Sequence, residues 1–326
     1  MATARTPRSG SPILRLVAVR LVWTAAILLG VSVVAFVLMR ALPGDFAIAA
    51  AGAQFVQAEV LEAIRREFGL DQPVWVQYLR WLGEALQGDL GRSFVTRRPV
   101  TSEIGPRFVV TAQLTLIAAL MALAIGGTTG LLSARLRGQT DWVVRLVNGL
   151  SLAVPNFVVA TLIVLMAGLY FPFLNLFNYT PFLADPLANI GSLLLPALCL
   201  ALAVSVTVSE NTRAAVLEVS SQDFVMVARA KGLRPRRVLG SYLLRNALTP
   251  VITVTGLQVA SLLGGSILIE TIFAIPGMGQ YLFDSITSRD YPVIQAIVLL
   301  AAAVVVFVNL LVDIAYARAD ARVRYE

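Results

Sequence analysis

The chain of 326 residues is 58% hydrophobic and only 14% charged, with a mean hydropathy of +0.79. A soluble globular domain carries about 25% charged residues, so this composition predicts an integral membrane protein. The net charge of +7 comes from arginines that flank apolar runs, which disfavours the clustered basic face of a nucleic-acid-binding protein.

The first apolar run, residues 21–39, contains no charged residue. About 20 apolar residues cross the hydrocarbon core, and a charge at the centre of a span costs about 2.5–3.5 kcal/mol. Arg15 and Arg20 precede the run, so a cleaved signal peptide is an alternative, but the run exceeds the apolar core of about 7–15 residues that such peptides have. We therefore predict a cytoplasmic segment at 1–20 and a first transmembrane helix at 21–39.

Residues 40–107 form a long loop with eight arginines and eight acidic residues. Within it, Val56, Val60, Ile64 and Phe68 share one face of a predicted helix that Gly69 would end. Proline at position 73 predicts the start of a second amphipathic helix, "PVWVQYLRWLGEAL". Such helices would cover a pore mouth, receive a partner, or pack as an extracytoplasmic cap.

Five further charge-free windows predict transmembrane helices, because lipid offers no partner to unpaired backbone groups. Within the second of these five windows we expect the helix to end near Tyr170, before a loop rich in proline and aromatic residues. Glu210, Glu270 and Asp313 fall at window ends, where we expect them to be solvated. The windows are 108–134, the first part of 146–184, 186–209, 246–269 and 291–312.

Arginines concentrate at both termini and in the loops after the second and fourth spans. The loop between the third and fourth spans has no basic residue, and the loop between the fifth and sixth has only Arg289. The positive-inside rule therefore places both termini in the cytoplasm. The long loop 40–107 is then extracytoplasmic by parity, 108–316 forms a core of five helices, and 317–326 is a cytoplasmic tail.

The stretch "QDFVMVARAKGLRPRRVLG", residues 222–240, lies in the cytoplasmic loop 210–249 and holds the only lysine, Lys231. Its sequence predicts a short helix ended by Gly232 and a second helix that begins at Pro235. Charge alone would indicate a solvated loop. The helix–glycine–helix pattern, with Val227 and Leu233 among the charges, favours a docking surface.

Several kinds of catalytic and carrier machinery are missing from the sequence. It contains no GxxxxGK[ST] loop for phosphates, no GxSxG and no histidine, and its one cysteine, Cys199, is predicted to be a buried apolar residue. The window centres carry no acids of the kind that ion-driven carriers use. A passive subunit of a larger machine is therefore favoured over a secondary transporter or channel, or a membrane-anchored scaffold.

Blocks along nearly the whole chain resemble the permease subunits of binding-protein-dependent ABC importers, in the dipeptide, oligopeptide and nickel group. They are "RLVWTAAILLGVSVVAFVLMRALPGD", "FGLDQPVWVQYLRWL", "GDLGRSF", "RAKGL", "LRNALTPV", "ETIFAIPGMG" and "RDYPVIQAIVLL". The resemblance implies six transmembrane helices in the type I ABC importer permease fold. It also implies a bacterial inner-membrane location, a second related permease, two ATPase subunits and an external solute-binding protein.

In that family the cytoplasmic helix–glycine–helix is the EAA loop, which fits a groove on an ATPase subunit. The general pattern matches this sequence at Ala228, Gly232 and Leu244, whereas Met226 replaces its glutamate and Arg245 its proline. The peptide-permease version, "ARAKGL" with "LRNAL", matches well. The family's "LPGDP" is "LPGDF" here, with Phe46 in place of proline.

The resemblance further implies a non-catalytic chain that binds no cofactor, because ATP and magnesium would be used by the ATPase subunits. Its cargo would be a di- or oligopeptide, with glutathione, a nickel chelate or another solute as alternatives. The fifth span would line the translocation path through Gln258, Ser261 and Gly265. The expected ATPase-coupling residues are Asp223, Val225, Ala228, Ala230, Lys231, Gly232, Leu233, Arg245 and Asn246.

Overall fold

A computed structural model describes residues 12–41, 59, 62, 66, 71–136, 138–171 and 176–319. This part of the chain is all-helical, apart from one isolated bridge between Arg92 and Pro99. The helices are α1 (Pro12–Ala41), α2 (Val74–Leu86), α3 (Val100–Arg135), α4 (Gln139–Ala153), α5 (Asn156–Tyr170), α6 (Pro186–Ser220), α7 (Asp223–Ala230), α8 (Pro235–Ile272), α9 (Met278–Ser288) and α10 (Tyr291–Ala319).

Five of these helices, α1, α3, α6, α8 and α10, are long and apolar enough to cross a membrane, and the bent pair α4–α5 supplies a sixth crossing when it is counted as one span. The predicted all-α polytopic architecture is confirmed. The helices extend beyond the charge-free windows, since α3 begins at Val100 and α6 continues to Ser220. Charged and polar helix ends of this kind lie beyond what hydropathy alone detects.

The core of the bundle lies where α3 packs along α6, with α8 against both. Gly126 and Gly130 of α3 allow this close approach. A Cβ atom at Gly126 would lie 2.4 Å from the carbonyl oxygen of Ser205, and one at Gly130 would lie 2.3 Å from that of Ser209. The two backbones are therefore nearly in contact, as in other membrane helix pairs with small residues at the interface.

The third span is broken, which corrects the prediction of one continuous helix ending at Tyr170. α4 and α5 meet at an angle of 90° across Val154 and Pro155. Val154 is extended, with φ −104° and ψ 116°, because the ring of the following proline disfavours the helical conformation. Pro155 then caps α5, which does end at Tyr170.

The extracytoplasmic loop predicted at 40–107 contains α2, which follows Pro73 as expected. Tyr78 and Trp81 of α2 pack on Phe36 of α1 at ring-centroid distances of 5.4 and 5.8 Å, and the hydroxyls of Tyr78 and Ser32 are 2.8 Å apart. The helix predicted within 53–70 and ended by Gly69 lies outside the described residues, apart from three helical positions, 59, 62 and 66. The "LPGDF" segment and the two chain ends also lie outside them.

Candidate coupling surface and translocation path

The predicted short helix and its glycine turn are present at one end of the bundle. α7 covers Asp223–Ala230, and Gly232 follows with φ +70°. The N–H of Gly232 donates to the carbonyl of Arg229 at 2.9 Å, and the N–H of Leu233 donates to that of Ala228 at 3.3 Å. This pair of bonds is a Schellman motif, in which glycine supplies the left-handed conformation that ends the helix.

α7 has one face packed on the bundle and one face exposed. Val225 and Ala228 are buried against Val238 and Leu243 of α8, so neither predicted coupling residue is free to contact a partner. The exposed side carries three apolar side chains that the sequence analysis did not identify as a group. We call them the apolar face of α7: Phe224, Met226 and Val227, which are 43%, 55% and 51% exposed.

The other predicted coupling residues divide between two places. Asp223, Ala230, Lys231 and Gly232 are exposed on α7 and its turn, and Leu233 is half-buried. Arg245 and Asn246 are exposed further along α8, on the far side of a π-helical segment, Val238–Leu244.

This π-helical segment joins the turn to the membrane-spanning part of α8. Asn246 donates a hydrogen bond to the carbonyl of Tyr242 at 2.6 Å, and the ring of Tyr242 stacks on Phe224 at 6.5 Å. The π-helical turn therefore links α7 to the span. Such turns are rare and are frequently found at functional sites.

The predicted path residues share one face of α8, since Gln258, Ser261 and Gly265 follow the i, i+3, i+7 spacing. Ser261 is exposed, whereas Gln258 and Gly265 are half-buried. A Cβ atom at Gly265 would lie 3.4 Å from both Asn156 Nδ2 and a methyl group of Leu200. Ser261 is therefore the most accessible of the three in this conformation.

Glu270 is fully buried, which corrects the expectation of a solvated end. Its carboxylate accepts hydrogen bonds from the N–H of Gly279 at 2.6 Å, the N–H of Gln280 at 3.1 Å and the hydroxyl of Thr111 at 2.7 Å. Thr111 also accepts a bond from the N–H of Met278 at 2.8 Å. The carboxyl group of Glu270 thus lies at the N-terminus of α9, where the helix dipole favours an acidic side chain.

The glycines of "IPGMG" make room for this carboxylate. A Cβ atom at Gly277 would lie 2.3 Å from Glu270 Oε2, and one at Gly279 would lie 2.5 Å from the Cα of Ile267. The buried carboxylate of Glu270 was not predicted from the sequence. Its signal was a glutamate at the end of an apolar window, followed by the two glycines Gly277 and Gly279.

A second buried acid, Asp290, fixes the segment before α3 to the start of α10. It accepts hydrogen bonds from the hydroxyl of Ser93 and from the N–H groups of Phe94, at 3.0 Å, and Val95, at 3.4 Å. The motifs "GDLGRSF" and "RDYPV" are therefore partners in space. Nothing in their spacing indicates this, because 197 positions separate Ser93 from Asp290.

Tyr281 of α9 anchors a third polar contact at the same end. Its hydroxyl donates to Glu103, and the guanidinium of Arg107 lies 4.0 Å from its ring centroid. Burial raises the pKa of Tyr281 well above its usual range, and the bond to Glu103 raises it further. The phenol therefore stays protonated and keeps its role as a donor at every physiological pH.

A polar network joins α3, α4 and α6 near the opposite end, beside α7. Asp141 accepts bonds from the hydroxyl of Ser133 and from Arg213 Nε at 2.9 Å, and Arg145 forms an ion pair with it at 3.1 Å. Buried polar groups with partners on three helices specify one packing arrangement. Among the described residues, no group of three His, Cys, Asp or Glu side chains is placed to hold a metal ion.

The described residues thus form an all-helical membrane bundle with the short helix α7 packed at one end. The chain belongs to the family described as "Binding-protein-dependent transport system inner membrane component", whose model matches residues 126–325. A second model, for the N-terminal region of such membrane components, matches residues 13–115. The chain is therefore an inner-membrane transport permease subunit, as the resemblance implied.

Relatives match this chain along nearly its full length. A putative peptide transport system permease protein of Brucella abortus is 41% identical over 92% of this chain and 96% of its own. The oligopeptide transport system permease protein AppB of Bacillus subtilis is 38% identical over 94% of this chain and 98% of its own. The glutathione transport system permease protein GsiC of Escherichia coli K12 is 38% identical over 91% and 94%.

The chain also has a solved structural neighbour, an amino acid ABC transporter. It covers 65% of this chain and 92% of its own, with a TM-score of 0.47 and 16% identity.

Proposed function

We propose that this permease forms one half of an ATP-driven import pathway and couples it to separate ATPase subunits through α7. The observation that carries the proposal is the apolar face of α7, which is exposed while Val225 and Ala228 anchor the same helix in the bundle. A helix held in this way can transmit a push from a docked partner to the spanning part of α8, because Val225 and Ala228 pack on the π-helical segment at the start of α8.

The complete importer would contain a second related permease, two ATPase subunits and an extracytoplasmic solute-binding protein. The family description supports the binding protein, since transport in this family depends on one. ATP and magnesium would be used by the ATPase subunits, and this chain would bind no cofactor itself. In the bacterial cytoplasmic membrane, α7 and both termini would face the cytoplasm, in keeping with the arginine distribution.

The cargo we propose is a di- or oligopeptide. The relatives are named for peptide, oligopeptide and glutathione transport, and glutathione is itself a small peptide-like solute. The face of α8 with Gln258, Ser261 and Gly265 would line the path. These side chains are neutral, so they can contact a passing zwitterion without holding it tightly, as conduction requires.

The double substitution Met226→Asp with Val227→Asp tests the coupling role. Burying a Met or Val side chain contributes about 1.5–3 kcal/mol, so losing both contacts should weaken ATPase docking about 100-fold or more. Both side chains are exposed, so the chain should still fold and insert. We expect co-purification with the ATPase and binding-protein-stimulated ATP hydrolysis to be lost.

Ser241→Asp is the matched control, because it adds a charge to an exposed position of the same loop outside the apolar face of α7. It should leave co-purification and transport unchanged. Normal transport by the double variant would show that α7 is only a solvated loop.

A further inference from the structure

Two adjoining cavities form one groove along the side of the bundle. The first is a cavity of about 540 Å³ between the ends of α3 and α6, α7 and the start of α8. The second, of about 230 Å³, continues along α3 beside α6 and α8. Val216 lines both cavities, so they adjoin at that residue.

The groove is basic at one end and apolar along its length. Arg135, the last residue of α3, and Arg229 of α7 line the first cavity, and neither forms an ion pair within the described part of the chain. The second cavity is lined by Leu, Ala, Val, Gly and Thr side chains. No acidic residue is among the described residues that line either cavity.

A buried hydroxyl without a partner lies in the apolar part of the groove. Thr212 is only 5% exposed, and its Oγ1 has no hydrogen-bond partner among the described residues. A buried hydroxyl left unpaired costs about 1–3 kcal/mol. By contrast, Thr128, which also lines the groove, donates to the carbonyl of Ala124 at 2.7 Å. The wall of the groove therefore contains one polar group that the described residues leave unpaired.

The length of the groove matches one leaflet of a bilayer. Leu123 lines its apolar end and Arg135 its basic end, and these residues are twelve positions apart on α3. At 1.5 Å per residue this is about 18 Å. The hydrocarbon core is about 30 Å thick, so each leaflet contributes about 15 Å.

We propose that this groove binds one anionic phospholipid of the cytoplasmic leaflet. Its phosphate would lie between Arg135 and Arg229, and an acyl chain would follow α3 toward Leu123. Basic pockets between membrane helices on the cytoplasmic side recognise anionic headgroups in this way. The leaflet rests on the proposed orientation of the chain.

Bound lipid would join α7 to the bundle, because Arg229 belongs to α7 whereas Arg135 belongs to α3. The lipid would therefore contact the coupling surface and the membrane core at once. Binding would respond to the position of α7, and by thermodynamic reciprocity the lipid would bias that position.

Photocrosslinking in the assembled transporter tests the site. The full complex is reconstituted in phosphatidylcholine vesicles with a trace of phosphatidylglycerol that carries a diazirine on one acyl chain, and crosslinked residues are mapped by mass spectrometry. We expect labelling on α3 and α8 beside the groove. Each arginine near an anionic headgroup contributes about a fivefold gain in affinity, so Arg135→Gln with Arg229→Gln should reduce labelling about 30-fold.

Two controls distinguish the groove from general lipid contact. Arg236→Gln is the control for the arginine pair. It removes an exposed charge of the same loop that does not line the groove, and it should not change labelling.

Gly127→Leu tests the apolar part of the groove. It fills that part, since no atom lies within 4 Å of a Cβ there, and it should displace the acyl chain. Gly149→Leu, at an equally open glycine on α4, should have no effect.

Three outcomes would overturn the proposal. Equal labelling by a phosphatidylcholine probe would mean that the groove has no preference for anions. Crosslinks to a partner subunit in place of lipid would mean that protein covers the groove, and displacement by inorganic phosphate would indicate a free-anion site. Labelling only from a probe confined to the outer leaflet would contradict the proposed orientation but leave the lipid site in place.

Discussion

Two buried carboxylates fix the loops at the end of the molecule opposite α7 by accepting hydrogen bonds from main-chain N–H groups. Glu270 holds the start of α9, and Asp290 holds residues 93–95. Hydrogen bonds to charged groups contribute about 1.5–3 kcal/mol each, and a buried N–H that loses its acceptor bears the full cost of desolvation. These acids therefore stabilise the connections between helices.

Glu270→Ala should be strongly destabilising. The change leaves the N–H groups of Gly279 and Gln280 without their acceptor, so we expect a loss of about 3 kcal/mol or more from the free energy of unfolding. Equilibrium unfolding in mixed micelles, followed by tryptophan fluorescence, measures this loss of free energy. Glu218→Ala, at an exposed position on α6, should change stability by less than about 0.5 kcal/mol. Similar values for the two variants would contradict the structural role of Glu270.

Cysteine substitution tests which side chains of α8 face the translocation path. In a Cys199→Ser background, Ser261→Cys should react with a hydrophilic thiol reagent at a rate that changes when nucleotide is added, because position 261 is exposed. Leu262→Cys is the control, since the neighbouring side chain is buried. Gly265→Cys should react slowly, because Asn156 and Leu200 occupy the space around it. An unreactive Ser261→Cys in every nucleotide state would place this face against another helix.

At the scale of helices, the contact between α3 and α6 is the most extensive in the bundle, and it depends on the absence of side chains. Gly126 and Gly130 face the α6 backbone, whereas Gly127 faces open space. The three glycines look equivalent in the sequence "AIGGTTGLL". Their energetic roles differ because only two of them meet another backbone.

Gly130→Ala and Gly127→Ala therefore form a matched pair on one helix. The Cβ atom at 130 would lie 2.3 Å from the carbonyl oxygen of Ser209, and relieving this overlap by moving α6 should cost about 1–3 kcal/mol. The Cβ atom at 127 meets nothing, so the higher helix propensity of alanine should stabilise the chain by up to about 1 kcal/mol. Equilibrium unfolding compares the two variants directly, and equal effects would show that α3 and α6 are not in close contact there.

The sequence predicted the helices well because the cost of placing a charge in lipid leaves long charge-free windows. It also predicted the helix, glycine turn and restart around Gly232, since each has a local signal. The break at Pro155 was missed because hydropathy measures how apolar a window is. It does not show whether the helix bends within that window. The partners of Glu270 and Asp290 were missed because Thr111 and Ser93 lie 159 and 197 positions away along the chain.

At the scale of the whole molecule, the buried acidic side chains lie in networks at the two ends of the described bundle. The Asp141 network lies beside α7, and Glu103, Glu270 and Asp290 lie around α9 at the opposite end. Between them, the described part of α8 that we assign to the path presents neutral side chains. A zwitterionic peptide loses hydration on entering a tight site and needs charged or densely polar partners in return. The neutral part of α8 between the two ends is therefore suited to the passage of a peptide and poorly suited to its recognition.

Selectivity should therefore lie in the extracytoplasmic binding protein and not in this chain. Replacing that protein with a relative of different specificity that still docks should change which solute is imported, with this permease unaltered. Uptake of labelled di- and oligopeptides and of glutathione into vesicles, each with the original and the exchanged binding protein, measures the effect. Ser261→Ala is the control, since it should leave the order of preferred solutes unchanged. Tight binding of cargo by the purified permease pair, at the affinity of the binding protein, would contradict this division, because the path would then hold the specific site itself.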